Sequence, residues 1–124
     1  MTRYLISFNV GAMTFPDEDL PDVAEAAHAV VQEARDAGVW VFGGGLGDPG
    51  EASVVATDGT VTDGRPPDTK DFLGGFSIVD VSCREEALAW AARIAVACRC
   101  AQEVRELVPD TLEDFLEHIP QPTA

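Results

Sequence analysis

The sequence predicts a small α+β domain, and three observations lead to this prediction. Segments with the alternating apolar pattern of β-strands are interspersed with two longer segments that show the apolar spacing of helices. The predicted order is β-α-β-(β-hairpin)-β-α-β, followed by a short helix. A chain of 124 residues has the size of one domain and can bury a core without disulfides or metal.

The first strand is predicted over residues 3–10 and leads through a loop into the first helix. Asp19 is the expected N-cap, and Pro21 lies in the first turn, where its missing N–H does no harm. Gly38 is expected to end this helix as a C-cap glycine. The apolar stripe of the helix contains Val23, Ala26, Ala27, Val30, Val31 and Ala34.

The middle of the chain is predicted to be rich in β-structure. A short apolar strand over residues 39–42 suits a central position in a sheet. The segments 53–57 and 60–62 flank Asp58–Gly59, which is a strong hairpin signal. A further strand over residues 76–81 carries apolar side chains on both of its faces.

A second helix is predicted from Ser82 to about Ala97, because Ser82 and Glu85 have the spacing of a capping box. Its apolar face contains Ala87, Leu88, Ala91, Ile94, Ala95 and Cys98, with Trp90 at the edge. The last strand is predicted over residues 101–107 and ends before Pro109. We expect one domain over residues 1–109, with a short acidic helix and a frayed tail over residues 110–124.

The predicted strands are apolar on both faces, as Leu5 beside Ile6 and Ile78 beside Val79 indicate. Two helices of about four turns cover only one face of such a sheet. Packing of two sheets from two copies of the chain is the simplest way to cover the other face. The sequence therefore predicts a homodimer.

The composition excludes several classes of function. A formal net charge of −14, with only eight Lys and Arg, argues against binding to nucleic acids or anionic membranes. No apolar run approaches the roughly 20 residues of a membrane span, and no signal peptide is recognisable, so we expect a cytoplasmic protein. Three cysteines, an odd number, are expected to be reduced thiols.

The segment 63–75 is the most informative part of the sequence, and it holds Lys70, the only lysine. Asp63–Gly64 is a turn pair, and Pro66–Pro67 stiffens the backbone that follows. Gly74–Gly75 allows a bend or a close approach to another group. So much backbone constraint around one lysine and three carboxylates indicates either a tight structural corner or a loop that holds a ligand.

This segment resembles the signature of the YCII-related family in its DGPF branch, Asp-Gly-Pro-Phe-Ala-Glu-Thr-Lys-Glu before a Leu-Gly-Gly. The matching residues are Asp63, Gly64, Thr69, Lys70, Leu73, Gly74 and Gly75. Asp68 and Asp71 replace Glu, whereas Arg65, Pro66 and Pro67 depart from the motif. The resemblance extends to about Pro109. It implies a ferredoxin-like α+β fold that pairs as a dimeric α/β barrel.

The leading hypothesis is a small-molecule pocket under the motif loop, with a lyase- or isomerase-like reaction suggested by fold analogy alone. Lys70 would hold a carboxylate or polarise a carbonyl, and Asp63 would accept a proton or orient Lys70. The structural alternative is an Asp–Lys pair that pins the loop against the sheet. The predicted ligand contacts are Gly64, Asp68, Thr69, Gly74 and Gly75, with Phe8, Trp40 and Phe76 as apolar lining.

The second hypothesis is a non-catalytic interaction module. Members of the resembled family occur beside or fused to extracytoplasmic-function sigma factors, which implies a regulatory partner with a basic patch. An enzyme predicts a closed, partly apolar pocket that holds Lys70 and a carboxylate. An interaction module predicts an exposed acidic or apolar patch instead.

The remaining motifs carry weaker signals. His28 is predicted to be a solvated helix histidine, because the histidine of the resembled family would fall at Ala27, about 100° away around the helix. If the alignment of this helix with the family were shifted by one residue, His28 would take the place of that histidine and act as an acid–base group with Asp36 as its partner. Gly45–Gly50 matches G-x-G-x-x-G but precedes a hairpin rather than a helix, and Cys98-x-Cys100 is too sparse for zinc. We expect neither a metal nor a cofactor.

Overall fold

The fold is described from a computed structural model, which covers residues 1–64 and 72–108. The strands are β1 Thr2–Asn9, β2 Trp40–Gly45, β3 Ser53–Val55, β4 Val61–Asp63, β5 Leu73–Val81 and β6 Glu103–Glu106. The helices are α1 Leu20–Asp36 and α2 Arg84–Cys98, with short 3₁₀ helices at Asp17–Asp19 and Pro49–Glu51. The short acidic helix predicted near the C-terminus lies outside the described residues.

Four strands form one antiparallel sheet in the order β2-β5-β1-β6. With α1 between β1 and β2 and α2 between β5 and β6, this is the β-α-β-β-α-β arrangement of ferredoxin-like folds. The fold class predicted for the single chain is therefore confirmed. β3 and β4 form a separate two-stranded sheet inserted between β2 and β5.

The inserted hairpin turns at Asp58–Gly59, as the sequence predicts. Gly59 has a φ of +87°, and the N–H of Ala56 donates to the carbonyl of Thr60 at 2.8 Å. The Asp58 carboxylate accepts a hydrogen bond from the N–H of Thr60 at 2.9 Å, and hydrogen bonding by Thr60 lowers the pKa of Asp58. The turn chemistry is thus local and could be read directly from the sequence.

The prediction of a central position for the strand near Trp40 is wrong. Within the described part of the chain, β2 pairs only with β5 and lies at the edge of the sheet. The apolar run arises because Val39 is buried in the core and Trp40 packs against it, whereas Phe42 lies on the opposite face. Pairing also shifts between Trp40 and Phe42, so an apolar run here does not indicate two strand neighbours.

The core lies between one face of the sheet and the two helices. Ile6, Val79 and Val81 are its fully buried centre. They pack with Tyr4, Ala34, Val39, Ala87, Trp90, Ala91, Ile94 and Cys98. Trp90 is buried and Leu88 is exposed, which reverses their predicted places on α2. The buried stripe is thus rotated toward Trp90, whose ring also lies 4.5 Å from the Arg93 guanidinium.

Both predicted N-caps differ in detail. Asp19 precedes α1, but its carboxylate accepts a hydrogen bond from Arg99 at 2.9 Å instead of capping the helix. Cys83 is the N-cap of α2, one residue later than predicted, so Glu86 takes the third helical position. The hydroxyl and N–H of Ser82 therefore donate to Glu86, at 2.8 and 3.1 Å, and not to Glu85. Neither described helix is long and apolar enough to cross a membrane.

The second face of the sheet is covered by no described element. Phe42, which is 62% exposed, lies there with its ring centroid 5.8 Å from that of Phe76. Strand register places Ile78 opposite Phe42 and Leu5 opposite Ile78, so these four apolar residues share the surface. We call this surface, with Arg3, Asp80, Glu103 and Arg105 around it, the open face.

Candidate functional site

A cavity of about 420 Å³ lies between the helix-covered face of the sheet and the two helices. This volume falls in the range of about 300–1,000 Å³ that is usual for small-molecule sites. Two aromatic residues, Phe8 from β1 and Trp40 from β2, contribute to its wall. Met13, Val30, Val31 and Ile94 add further apolar surface.

Two glycines let the aromatic side chains lie close to the sheet. A Cβ atom on Gly43 would lie 2.6 Å from the carbonyl oxygen of Phe76 and 2.8 Å from the Trp40 ring. A Cβ atom on Gly75 would lie 2.6 Å from the Phe8 ring. The close approach predicted for the Gly74–Gly75 pair is therefore present, and the group that approaches is the Phe8 ring.

Four polar side chains of the described residues line the cavity: His28 and Arg35 from α1, Ser77 from β5, and Gln102, which precedes β6. His28 and Arg35 both line the cavity and are exposed. They are seven residues apart, close to two helical turns, which places them on the same side of α1. Neither side chain forms a hydrogen bond or ion pair with another described residue. Both are therefore available to contact a ligand.

Cys98 also lines the cavity. Burial raises the pKa of Cys98, and the neighbouring Cys100 raises it further. Burial also raises the pKa of Cys100, although the Gln102 side-chain amide donates a hydrogen bond to its sulfur at 3.4 Å. Both cysteines are thus protonated at neutral pH and behave as small apolar groups there.

Groups of three or more possible metal ligands do not occur within residues 1–64 and 72–108. The G-x-G-x-x-G segment also lacks the geometry of a dinucleotide site. Gly45 ends β2, and Pro49–Glu51 forms a 3₁₀ helix that leads into β3. The Asp48 carboxylate accepts a hydrogen bond from the N–H of Gly50 at 2.8 Å, and the N–H of Leu46 donates to the Gly74 carbonyl at 2.9 Å, so the segment is a turn tied to β5. A second cavity of about 380 Å³ lies beside it.

The structure separates the predicted site residues into groups. Phe8, Trp40 and His28 line the same cavity, although only Phe8 and Trp40 were predicted together as apolar lining. Phe76 borders that cavity too, but its ring contacts Phe42 on the open face. Gly74 lies at the start of β5 near the Phe8 ring.

Asp63 and Gly64 lie elsewhere, at the end of the inserted hairpin. The Asp63 carboxylate accepts a hydrogen bond from the hydroxyl of Ser53 at 2.9 Å, which ties β4 to β3. Gly64 has a φ of +81°, and its N–H donates to the Ala52 carbonyl. Neither residue borders the two cavities described here. The other predicted motif residues, Asp68, Thr69 and Lys70, lie outside the described residues.

The alternative pairing of His28 with Asp36 is not formed among the described residues. The Asp36 carboxylate instead accepts a hydrogen bond from the Gln32 amide at 2.9 Å. Sequence reasoning also missed Arg35 as a cavity residue. Its spacing of seven from His28 was the available signal, but it only becomes meaningful once the cavity is known to lie along this side of α1.

Comparison with known proteins assigns the chain to a family. A model of the YCII-related domain matches residues 12–110. The chain belongs to the YCII-related family. No curated protein matches it.

Among solved structures, this YCII-related chain is similar to 5-chloro-2-hydroxyhydroquinone dehydrochlorinase from Burkholderia phenoliruptrix, in a complex with 2,5-dihydroxybenzoquinone. The two share 18% sequence identity with a TM-score of 0.46, over 83% of this chain and 90% of that chain.

Proposed function

We propose that this YCII-related chain binds a small molecule in the cavity between the sheet and α1. The observation that supports the proposal is the cavity itself, about 420 Å³ with an aromatic and aliphatic wall. Two glycines without room for a Cβ atom, Gly43 and Gly75, shape that wall. A well-formed apolar cavity with a few polar groups is the usual form of a ligand site.

The sequence predicts a pocket under the motif loop, and residues 65–71 of that loop lie outside the described residues. The proposed cavity extends along α1, and Gly75 at the end of the motif packs against the Phe8 ring in its wall. A role for the motif residues Asp68, Thr69 and Lys70 stays a prediction, as does membership of the DGPF branch. The proposed pocket needs neither.

A lyase- or isomerase-like reaction would require a group that moves a proton within this cavity. His28 is suited to that role, because histidine is the side chain most often used for proton transfer and this one borders the cavity. Asp63 is engaged by Ser53 and lies away from the cavity, so we assign it a structural role. Catalysis by His28 thus extends the binding proposal and depends on it.

Filling the cavity should abolish binding. Ala27 borders the cavity and is half-buried, so Ala27→Phe would place a phenyl ring where the ligand lies. We expect at least about tenfold weaker binding of any cavity ligand, since overpacking and lost volume both oppose it. The probes are monocyclic and bicyclic aromatic carboxylic acids and their neutral amides, titrated while protein amide signals are followed by NMR.

The matched control is Ala26→Phe, which makes the same change at an exposed position of α1 outside the cavity. This variant should bind as the original protein does. Thermal unfolding of both variants establishes that each is folded. Equal binding by Ala27→Phe and the original protein, or no shift of cavity amides with any probe, would refute the proposed site.

We further propose that two copies of the chain pair through their open faces. Support comes from the four apolar residues of that face, of which Phe42 is 62% exposed. Exposed charged residues around them, Arg3, Glu103 and Arg105, include both signs, so a two-fold axis can bring opposite charges of two copies together.

A charge on the open face should dissociate such a dimer. Phe42→Asp would put two carboxylates into the symmetric interface, and we expect the dimer dissociation constant to rise by about 100-fold or more. Sedimentation equilibrium over a range of protein concentrations measures this constant. Val96→Asp is the matched control, because Val96 is 81% exposed on α2, on the other side of the molecule. A protein that is monomeric at every concentration would contradict the proposal.

A regulatory role with a sigma-factor-type partner stays a prediction, as does the cytoplasmic location. The open face is the kind of exposed patch that such a role requires, but its apolar and charged residues are accounted for by a second copy.

A further inference from the structure

We propose that the cavity selects small organic monocarboxylates and that Arg35 is the residue that determines this specificity. The inference rests on the proposed binding function and adds the chemical class of the ligand. It also moves the anion contact away from Lys70, the residue for which the sequence predicted a carboxylate-holding role.

The first argument is the contrast between the cavity and the rest of the chain. The chain has 22 Asp and Glu against eight Lys and Arg. None of the described residues that line the cavity is acidic, yet Arg35 and His28 are both among them. If the lining residues were a random sample of this acidic surface, they would be expected to include carboxylates. The absence of carboxylates and the presence of two basic side chains make the local charge favourable for an anion.

The second argument is that the Arg35 guanidinium is unengaged. Arg93 is paired with Glu33, and Arg99 is paired with Asp19. Arg35 has no such partner among the described residues, and neither have Arg3, Arg84 and Arg105, but of these four only Arg35 borders the cavity. A guanidinium offers a planar pair of N–H donors that matches a carboxylate, and such charge-assisted hydrogen bonds are stronger than neutral ones.

The shape of the cavity and the charge of the chain narrow the ligand further. Phe8 and Trp40 present flat apolar surfaces, which suit a flat hydrocarbon body. The buried thiol of Cys98 adds no charge, because burial raises its pKa. A net charge of −14 repels polyanions at long range, so a single carboxylate held locally by Arg35 is favoured over a phosphate or a dicarboxylate.

The test compares each aromatic acid with its neutral amide, which has nearly the same shape. We expect the original protein to bind the preferred acid about tenfold more tightly than the amide, the size typical of a charge-assisted hydrogen bond at a partly exposed site. In Arg35→Gln this preference should fall to about unity, while the affinity for the amide stays the same. Arg35→Lys should keep part of the preference, because it retains the charge but not the planar pair of donors.

Arg84→Gln is the control, because it removes the same charge from an exposed residue at the start of α2 that does not border the cavity. It should keep the full preference for the acid. Equal binding of acid and amide by the original protein would overturn the inference and leave the binding site intact, provided that Ala27→Phe still abolishes both. An equal loss of acid and amide in Arg35→Gln, or a loss of preference in Arg84→Gln, would also overturn it.

Discussion

Replacing Ile6 with alanine should lower the free energy of unfolding by about 3–4 kcal/mol, as is typical when a large aliphatic side chain is removed from a rigid core. Ile6 is 0% exposed and lies on β1, which pairs with both β5 and β6. The backbone around it is held on both sides by these pairings, so it cannot collapse into the space left behind. Urea denaturation at one fixed protein concentration measures the loss.

Val96→Ala is the control for this measurement. Val96 is 81% exposed, so shortening it should change the free energy of unfolding by no more than about 0.5 kcal/mol. A loss below about 1 kcal/mol for Ile6→Ala would mean that the site relaxes freely. Such a result would contradict the placement of Ile6 at the centre of the core.

Replacing Gly43 with alanine should lower the free energy of unfolding by about 1–3 kcal/mol, the usual cost of forcing atoms into a filled space. The added Cβ atom would lie 2.6 Å from the Phe76 carbonyl oxygen and 3.0 Å from the Cα atom of Ser77. Both are backbone atoms of the adjacent strand, so no rotation of a side chain can relieve the contact. We expect separation of β2 from β5 and weaker binding of cavity ligands, because Gly43 borders the cavity.

Gly44→Ala is a matched control one residue further along β2. Nothing lies within 4 Å of a Cβ atom built there, and its φ is not positive, so this variant should be as stable as the original protein or slightly more so.

Combining Gly43→Ala with Trp40→Phe separates the two contacts. The smaller ring removes the contact with the Trp40 side chain but not the contact with the backbone of β5. Full rescue by Trp40→Phe would therefore contradict the backbone explanation.

The order of the secondary-structure elements could be predicted because it depends on local patterns. Alternation in β1 and β5, helical spacing in α1 and the Asp58–Gly59 turn each involve only a few neighbouring residues. Some details failed. The second helix begins one residue later than predicted, and Ser82 bonds Glu86 instead of Glu85.

The candidate cavity could be predicted only in part. Phe8 and Trp40 were predicted together as apolar lining of a pocket, but nothing in the sequence indicates that His28 lines the same space. Arg35 was overlooked because an arginine on the flank of an amphipathic helix usually faces solvent. The motif that suggested the site contributes Gly75 beneath the Phe8 ring, while Asp63 serves the inserted hairpin.

The sequence by itself determined the α+β class, the element order and the presence of apolar residues on both faces of the sheet, because each follows from the periodicity of apolar side chains. Only the tertiary structure decided that β2 is an edge strand and that a cavity remains between the sheet and α1. The physical reason is that strand order and helix placement depend on contacts between residues far apart in the chain. Those contacts place Arg35 and His28 beside the aromatic wall formed by Phe8 and Trp40.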